Sequence, residues 1–592
     1  MIYNREKQWQ FLEDELKAEI KEFDNKLNTS ASYLMDKGEV FTAQFLSFSE
    51  SGGMRVRFAA SRPIPRKGEY LYCMTLHKEL RNYKNWGDKT YGDLVKDKTN
   101  QTEAICNWLS PSDDPKFIIA GFIGIDSEFA NWILGTPKLV LTLGPNRPPY
   151  EYIAHLQSLI QCHTSSALSS VLDEDYKKNC WSPILLNNNN SIPKFIKTQL
   201  GMSSSVILQG PPGTGKTYQV SKLVANLCKA GNSVLVTALT NRALMEIAKK
   251  EFMEELLKEC KVYKTKITTD ESKELPNLQL EKNIAPKKGC VILSTFYIAS
   301  GAAADLTSES PFDYVIMDEA SQALLPMIGA ARMLGKHCLF VGDVKQLPPV
   351  VLLKESKIVQ HNYIGLVEGL KTITENSSYP IYQLTDSYRL TNRGVEYTGA
   401  FYNNTLSSKS KEQNANSYGA FFLNEHGGPT LLKTDMEIGE LKDEALLNLS
   451  LSVVAYIHKN NSKCEIAVLS CMKETVRALQ GVINSQIKSS KILIDTVARV
   501  QGLTTDICIY VVPNTHYLRT LESRLFNVAT SRAKNQTIII ADKEILEYNR
   551  MDKEVRGYLE KLDGEYSFYL PYKKGKQIIL QKNMVQEQLL TT

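Results

Sequence analysis

The chain has no CxxC pair, and its eleven cysteines, from Cys73 to Cys508, fall at no repeated metal-ligand spacing. Cys162-His163 is an adjacent pair without nearby partners. Structural zinc, iron–sulfur and dithiol redox chemistry are thereby excluded, and the thiols read as reduced groups of an intracellular protein. No apolar run approaches the length of a membrane span. Residues 1–27 are rich in Lys and Glu, which excludes a secretory signal. A cytoplasmic location is expected, or a nuclear one in a eukaryote, with no membrane partner. Charge is nearly balanced, 70 Lys and Arg against 65 Asp and Glu, for a net +5. That permits a polyanionic partner through local patches without demanding one.

A hydrophobic content of 43% over 592 residues predicts about three or four domains rather than one. Trp9, Leu12, Leu16, Ile20, Phe23 and Leu27 recur at steps of three and four, which predicts a long stalk helix within residues 1–37. Short runs at 40–46, 54–58, 70–76, 117–123 and 139–143, with a hairpin turn at Ser51-Gly52-Gly53, predict a small β-barrel over residues 38–147. Pro148-Pro149 breaks the chain, and Tyr152, Ile153, Leu156, Leu159 and Ile160 mark a second stalk helix within residues 148–180. Strand-like and helix-like stretches then alternate over residues 181–370 and again over residues 371–560, so two helix-covered parallel sheets are expected. The Lys-rich stretch at about 255–290 and the polar stretch 407–417 read as surface insertions, the Asn187–Asn190 run as a loop. Residues 561–592, with Lys573, Lys574 and Lys576, read as a solvated tail.

Residues 210–217 read Gly210-Pro211-Pro212-Gly213-Thr214-Gly215-Lys216-Thr217, directly between an apolar strand and a helix. Such a loop wraps backbone N–H groups around terminal phosphates at the positive end of the helix dipole. Lys216 would reach the β- and γ-phosphates, and Thr217 would ligate Mg²⁺. Asp318 and Glu319 emerge at the end of a buried strand, where open parallel sheets bind ligands. Asp318 suits the metal and its water shell, and Glu319 the attacking water. Gln346 follows a third such strand, with an amide for the γ-phosphate or that water. Arg389 and Arg532 are the candidates for the extra positive charge that phosphoryl transfer requires. A triphosphate, ATP with Mg²⁺, is the expected ligand.

In order along the chain, Gly210–Thr217 resembles motif I of the superfamily 1 helicases, Leu239–Ala243 motif Ia, Ser294-Thr295 the next strand-end motif, and Asp318–Gln322 motif II in its DEASQ form. Gly342–Pro349 resembles motif III, Ser387–Arg389 motif IV, Asp495–Gly502 (which includes Gln501) motif V, and Asn527–Lys534 motif VI. The set is similar to subclass B, the group of the nonsense-mediated-decay helicase and senataxin, over residues 200–545. The resemblance implies an α/β fold of two tandem RecA-like P-loop domains, with the stalk and β-barrel above the strand channel. It implies ATP held between the domains, contacted also by Gly502, with Arg389 and Arg532 reaching the phosphates from the second domain. It implies that Thr240, Asn241, Ser294, Thr295 and Thr496 track the backbone of single-stranded RNA or DNA. A monomer moving 5′ to 3′ is expected, its protein partners unspecified.

Three departures accompany the resemblance. No glutamine precedes motif I between Leu186 and Phe195 to read adenine, Thr504 stands where motif V has an acid, and Cys471, Met472 and Thr475 replace a proline-tyrosine-glutamine cluster. They leave open a second reading, a strand-stimulated ATPase that clamps or remodels RNA–protein complexes without processive unwinding. A small-molecule kinase or GTPase would need only the phosphate loop and leaves the arginines and Gln346 without a purpose. The segment Arg81–Trp86 mixes cations with aromatics, a composition suited to stacking bases, although a solvated loop explains it as well.

Overall fold

Among the described residues nine parallel strands form one sheet and six parallel strands a second, two short strands pair separately, and six antiparallel strands close a barrel. In this computed structural model the described residues are 4–136, 139–173, 182–187, 191–306, 310–376, 378–411, 420–500, 502–514, 518–548, 551–576, 578 and 580. The expected Asn187–Asn190 loop, the 407–417 stretch and the tail beyond 580 lie wholly or partly outside them, as does Gln501. Among the described residues no helix is long and apolar enough to cross a membrane.

The stalk helix spans Arg5–Leu27 and is capped by Asn4, whose side chain accepts from the Lys7 N–H at 2.8 Å. Its buried face is Gln8, Phe11, Leu12, Glu15, Glu19 and Phe23, whereas Ile20 of the predicted apolar stripe is exposed. The face is turned because two carboxylates find partners inside. Glu15 accepts the backbone N–H groups of Leu352 and Leu353 at 2.7 and 2.9 Å, and Glu19 faces the Tyr152 hydroxyl at 3.4 Å on the second stalk helix, Glu151–Cys162.

Burial, together with the charges of Glu15 and Glu22, pushes the Glu19 carboxyl up to about 7. A carboxyl raised in this way holds its proton more tightly in the fold than in the unfolded chain. Folding is therefore favoured at low pH, and that advantage declines as pH rises from about 4.5 through about 7. Glu19→Gln is expected to raise the melting temperature at about pH 8 and to flatten its fall above about pH 6. Thermal denaturation at both pH values checks this; an unchanged slope would show that another group titrates.

The barrel closes in the order 41–48, 54–59, 117–123, 98–111, 70–76 and 140–144. Five of these strands match the predicted runs. The sixth, Lys98–Pro111, is the longest, and it has no sequence signal because its first half is polar. Trp86 is fully buried, donates Nε1–H to the Leu80 carbonyl at 2.9 Å and packs with Met74, Tyr91 and Leu94. It is core, so Arg81–Trp86 offers no stacking platform through that ring.

Three predicted boundaries are corrected. The 255–290 stretch is not a surface insertion: strands Val262–Lys264 and Gln279–Leu280 extend the nine-stranded sheet, and Lys264 is wholly buried because Glu271 pairs with it at 2.9 Å. The same stretch carries the barrel, through Thr269 Oγ1 to the Gly52 carbonyl and the Gly124 N–H to Asp270, both at 2.9 Å. Gly52 has φ +82°, and a Cβ there would lie 2.5 Å from the Thr269 carbonyl oxygen, so the contact requires glycine. Strand Ile381–Leu384 pairs with Ser205–Gln209 and Ile184–Leu186, which moves the boundary expected at 370–371 past Leu384. Residues after 560 are not all a solvated tail either. Strand Ser567–Tyr569 joins the six-stranded sheet beside Gly428–Thr434, and Leu570 is buried, although Lys573, Lys574 and Lys576 are exposed as expected.

Candidate active site

Because the nine-stranded sheet is parallel throughout, the C-terminal ends of its strands share one edge. Strand Ser205–Gln209 lies next to Gly335–Gly342, and that strand next to Phe312–Met317. Gly210–Thr217, Gly342–Gln346 and Asp318-Glu319 therefore emerge side by side, although Thr217 and Asp318 stand 101 positions apart in sequence.

The helix after the loop starts at Lys216, with Gly215 at its cap in the left-handed region, φ 77°. Lys216 Nζ donates to the Gly210 carbonyl. Its stem passes so close that a Cβ on Gly210 would lie 2.1 Å from Lys216 Cγ. Thr214 Oγ1 donates to the Pro211 carbonyl at 2.8 Å and Gly210 N–H to that of Gly342 at 2.9 Å, which fixes the loop against its neighbour. Thr217 stands half-buried in the first turn of the helix.

Asp318 is buried, its backbone N–H bound to the Thr237 carbonyl at 2.8 Å and its Oδ1 accepting the Glu319 N–H at 3.0 Å. Burial raises the Asp318 carboxyl to about 7, the adjacent Glu319 adds to the rise, and Lys216 opposes it. Glu319 is left-handed at φ 53°, which costs a non-glycine residue about 1 kcal/mol or more and is the kind of strain that gathers at functional sites. Among the described residues no group of three or more His, Cys, Asp or Glu side chains could cage a metal. The buried Asp318 carboxylate and the Thr217 hydroxyl would fit a hard cation that took its remaining ligands from phosphate and water, as magnesium does.

Gln346 donates Nε2–H to Asp343 Oδ2 at 2.9 Å. The same carboxylate accepts the Lys345 N–H at 3.0 Å and the Tyr402 hydroxyl at 2.7 Å. Asn527 donates to both the Tyr402 hydroxyl, at 2.8 Å, and the Lys345 carbonyl, at 2.9 Å. Tyr402 and Asn527 precede and carry elements of the six-stranded sheet, so this buried chain of hydrogen bonds ties the two domains together. Arg524 adds a two-pronged pair with Glu368 at 2.7 and 2.8 Å. None of Tyr402, Arg524 or Glu368 carries a sequence signal, since each sits outside any glycine or strand-end pattern.

Arg389 packs against the loop, and Arg532 lies near enough for its charge to act on Arg389. Arg389 belongs not to the second sheet, as expected, but to the connector that leaves strand Ile381–Leu384 of the first. That connector is bound to the loop by Tyr388 N–H to the Gly213 carbonyl at 2.9 Å and Ser387 Oγ to the Pro212 carbonyl at 3.0 Å. Gly213, at φ +75°, has no room for a side chain, because a Cβ would lie 2.5 Å from Arg389 Cβ. Arg532, only 2% exposed, comes from the second domain, its Nε–H on the Val528 carbonyl at 2.7 Å. Arg389 donates to the Ser531 carbonyl at 3.2 Å. Among the described residues neither guanidinium forms an ion pair. Burial and then the nearby Arg532 charge pull Arg389 down to about 9; burial also lowers Arg532, with Glu319 among the charges that offset this. Two clustered cations that form no ion pair among the described residues would suit an anionic ligand.

The expected strand-contacting residues divide. Thr240 is exposed and Asn241 and Thr295 half-exposed, at the ends of neighbouring strands Val234–Ala238 and Val291–Thr295. Thr240 also caps the helix Asn241–Ala248 by accepting the Ala243 N–H at 3.2 Å. Thr496 ends an edge strand of the second sheet. Ser294 is a correction: it is fully buried, its hydroxyl 3.3 Å from Thr265 Oγ1, because the alternation of its strand turns it into the sheet's packing layer. Gly502, φ +82°, has nothing within 4 Å of where a Cβ would stand, and among the described residues no contact places it at the loop. On the barrel, Arg66 approaches Asp495, Arg477 and Arg499 of the second domain, which set its charge environment after burial and Glu69.

Two family models, each described as AAA domain, match the chain: one over residues 187–287 and 279–354, the other over residues 368–544. The chain is 25% identical over 413 residues to the DNA replication ATP-dependent helicase/nuclease DNA2 of Saccharomyces cerevisiae, an overlap of 63% of this chain and 26% of that protein. It is 31% identical over 238 residues to the protein of the same name from Homo sapiens, which covers 38% of this chain and 22% of that one. The chain thus matches well under half the length of these curated relatives. Among solved structures it is similar to the arterivirus nonstructural protein 10 (helicase), at 11% identity and TM-score 0.35, covering 88% of this chain and 79% of that one.

Proposed function

We infer, for a chain that belongs to superfamily 1 of the helicases, that it hydrolyses ATP in the cleft between its two parallel-sheet domains and thereby moves 5′ to 3′ along single-stranded RNA or DNA. The observation that carries this is the meeting of Arg389, packed on the phosphate loop, with the buried Arg532 of the other domain, neither of them in an ion pair among the described residues. In this reading Gly210–Thr217 cradles the phosphates with backbone N–H groups, and Lys216 exchanges the Gly210 carbonyl for phosphate oxygens. Glu319 takes the proton of the attacking water, Gln346 orients that water, and the two arginines meet the charge that spreads over the transferring group. Asp318 and Thr217 would hold magnesium, which when bound neutralises the phosphate oxygens. The DEASQ form of motif II supports the subclass B reading, and the 5′ to 3′ polarity is carried over from that subclass. Thr240, Asn241, Thr295 and Thr496 hold the strand backbone without reading sequence.

The clamp reading has one observation in its favour. Thr475 Oγ1 is committed to the Leu441 carbonyl at 2.7 Å and the Cys471 thiol to the Tyr510 hydroxyl at 3.1 Å, so two positions that the family offers to its ligands are turned inward. Duplexes with a single 5′ or 3′ overhang, of RNA and of DNA, separate the alternatives. Separation of the 5′-overhang duplex with ATP is expected; preference for the 3′ overhang would overturn the polarity, and strand-stimulated hydrolysis without any separation would favour the clamp.

A further inference from the structure

Gln346 does not hang free at the end of its strand but is held. Its Nε2 lies on Asp343 Oδ2, and the two other groups on that carboxylate are donors as well, the Lys345 N–H and the Tyr402 hydroxyl. A carboxylate surrounded by donors acts as the acceptor in each bond, so the amide orientation is determined by chemistry: the nitrogen faces Asp343. The carbonyl oxygen Oε1 is left as the acceptor, and no hydrogen bond from a described residue reaches it. An acceptor can take a proton of a water; it cannot donate to a phosphate oxygen.

Asp343 is in turn held from across the cleft. Tyr402 is 5% exposed, its hydroxyl donates to Asp343 and accepts from Asn527, and Asn527 also binds the Lys345 carbonyl. Burial, with the Asp343 charge and hydrogen bond next in size, raises the phenol well above its ordinary value, so Tyr402 stays a donor across the whole working range. These contacts exist only while the two domains are together.

We propose that Tyr402 is a positioning residue for hydrolysis: by bridging to Asp343 it orients Gln346 so that the amide carbonyl faces the attacking water, and it does so only in the closed cleft. Water orientation thereby becomes conditional on domain closure, which on the proposed function depends on the strand. The proposal rests on that reading.

Tyr402→Phe removes one hydroxyl and leaves the ring in its core, with Asp343 still bonded to Gln346 and Lys345, so folding should survive. Strand-stimulated hydrolysis is expected to show kcat lower by about 10-fold, the effect of one hydrogen bond to a charged group, with KM for ATP within about 2-fold. Because Tyr402 acts through Gln346, adding Tyr402→Phe to Gln346→Ala should cost nothing further. A parent that hydrolyses ATP while Tyr402→Phe matches its kcat, or a double variant whose losses multiply, would overturn the positioning role alone. A parent with no strand-stimulated hydrolysis would overturn the function and the positioning role together.

Discussion

Arg532→Ala is expected to lower strand-stimulated ATP hydrolysis by about 10³-fold or more, the range over which an arginine finger acts in phosphoryl transfer. The expectation rests on where the guanidinium stands. It is 2% exposed, bound to the backbone carbonyls of Val528 at 2.7 Å and Leu503 at 3.5 Å, and among the described residues no carboxylate forms an ion pair with it. A structural arginine in such a place would be paired, because an unpaired buried charge costs several kcal/mol. A cation kept there without a partner implies that its partner arrives with the ligand. Removing it relieves a buried charge but empties the space of a large buried side chain, so thermal melting of the variant provides the control. Arg532→Lys keeps the charge but loses the planar fork, and a fall intermediate between parent and alanine is expected. If Arg532→Ala turns over ATP within a few fold of the parent while stably folded, the guanidinium is structural and the cleft has been misassigned.

Glu319→Gln should abolish turnover, by about 10²- to 10⁴-fold as for loss of a general base, while ATP and strand binding persist. Glutamine has the same length and the same tolerance of the left-handed backbone at φ 53°, and it leaves the N–H bond to Asp318 intact, so geometry is preserved and only the proton acceptor is lost. Removing the negative charge beside Asp318 also relieves one cause of its raised carboxyl, which should favour metal and nucleotide binding rather than oppose it. Equilibrium binding of a fluorescent ATP analogue and of a labelled single strand, beside phosphate release, separates the two effects. Hydrolysis at the parental rate would remove Glu319 from the reaction, and loss of nucleotide binding would make it a structural residue.

Much of the site was legible because its parts are local. A glycine-rich turn, a strand that ends in two acids and a strand that ends in Gly-Asp each need only a few consecutive residues, and apolar runs mark buried parallel strands directly. The barrel was legible through five of its strands for the same reason. Its longest strand, Lys98–Pro111, was not, because a strand whose outward residues face water and whose inward residues are small has little apolar contrast. The stalk helix was legible as a helix but not in its packing: Glu15 and Glu19 look like solvent residues until Leu352, Leu353 and Tyr152 are brought against them. Ser294 failed in the opposite sense, since alternation along a strand decides which side a hydroxyl faces, and motif position does not report it.

From residue order alone one could read a glycine-rich loop of phosphate-binding type between a strand and a helix, and the acids and arginines proposed here for its chemistry. These are matters of residue type and short-range order, and the backbone obeys them locally. Only the tertiary structure decided what those groups do together. Strand Ile381–Leu384 joins the first sheet and not the second, and so Arg389 is pinned to the phosphate loop while Arg532 crosses from the other domain. Tyr402 reaches Asp343 from 59 residues away and, through it, sets the face of Gln346. Hydrogen bonds and charge pairs of this kind depend on distance in space, and the chain order carries no trace of that distance until the sheets have formed.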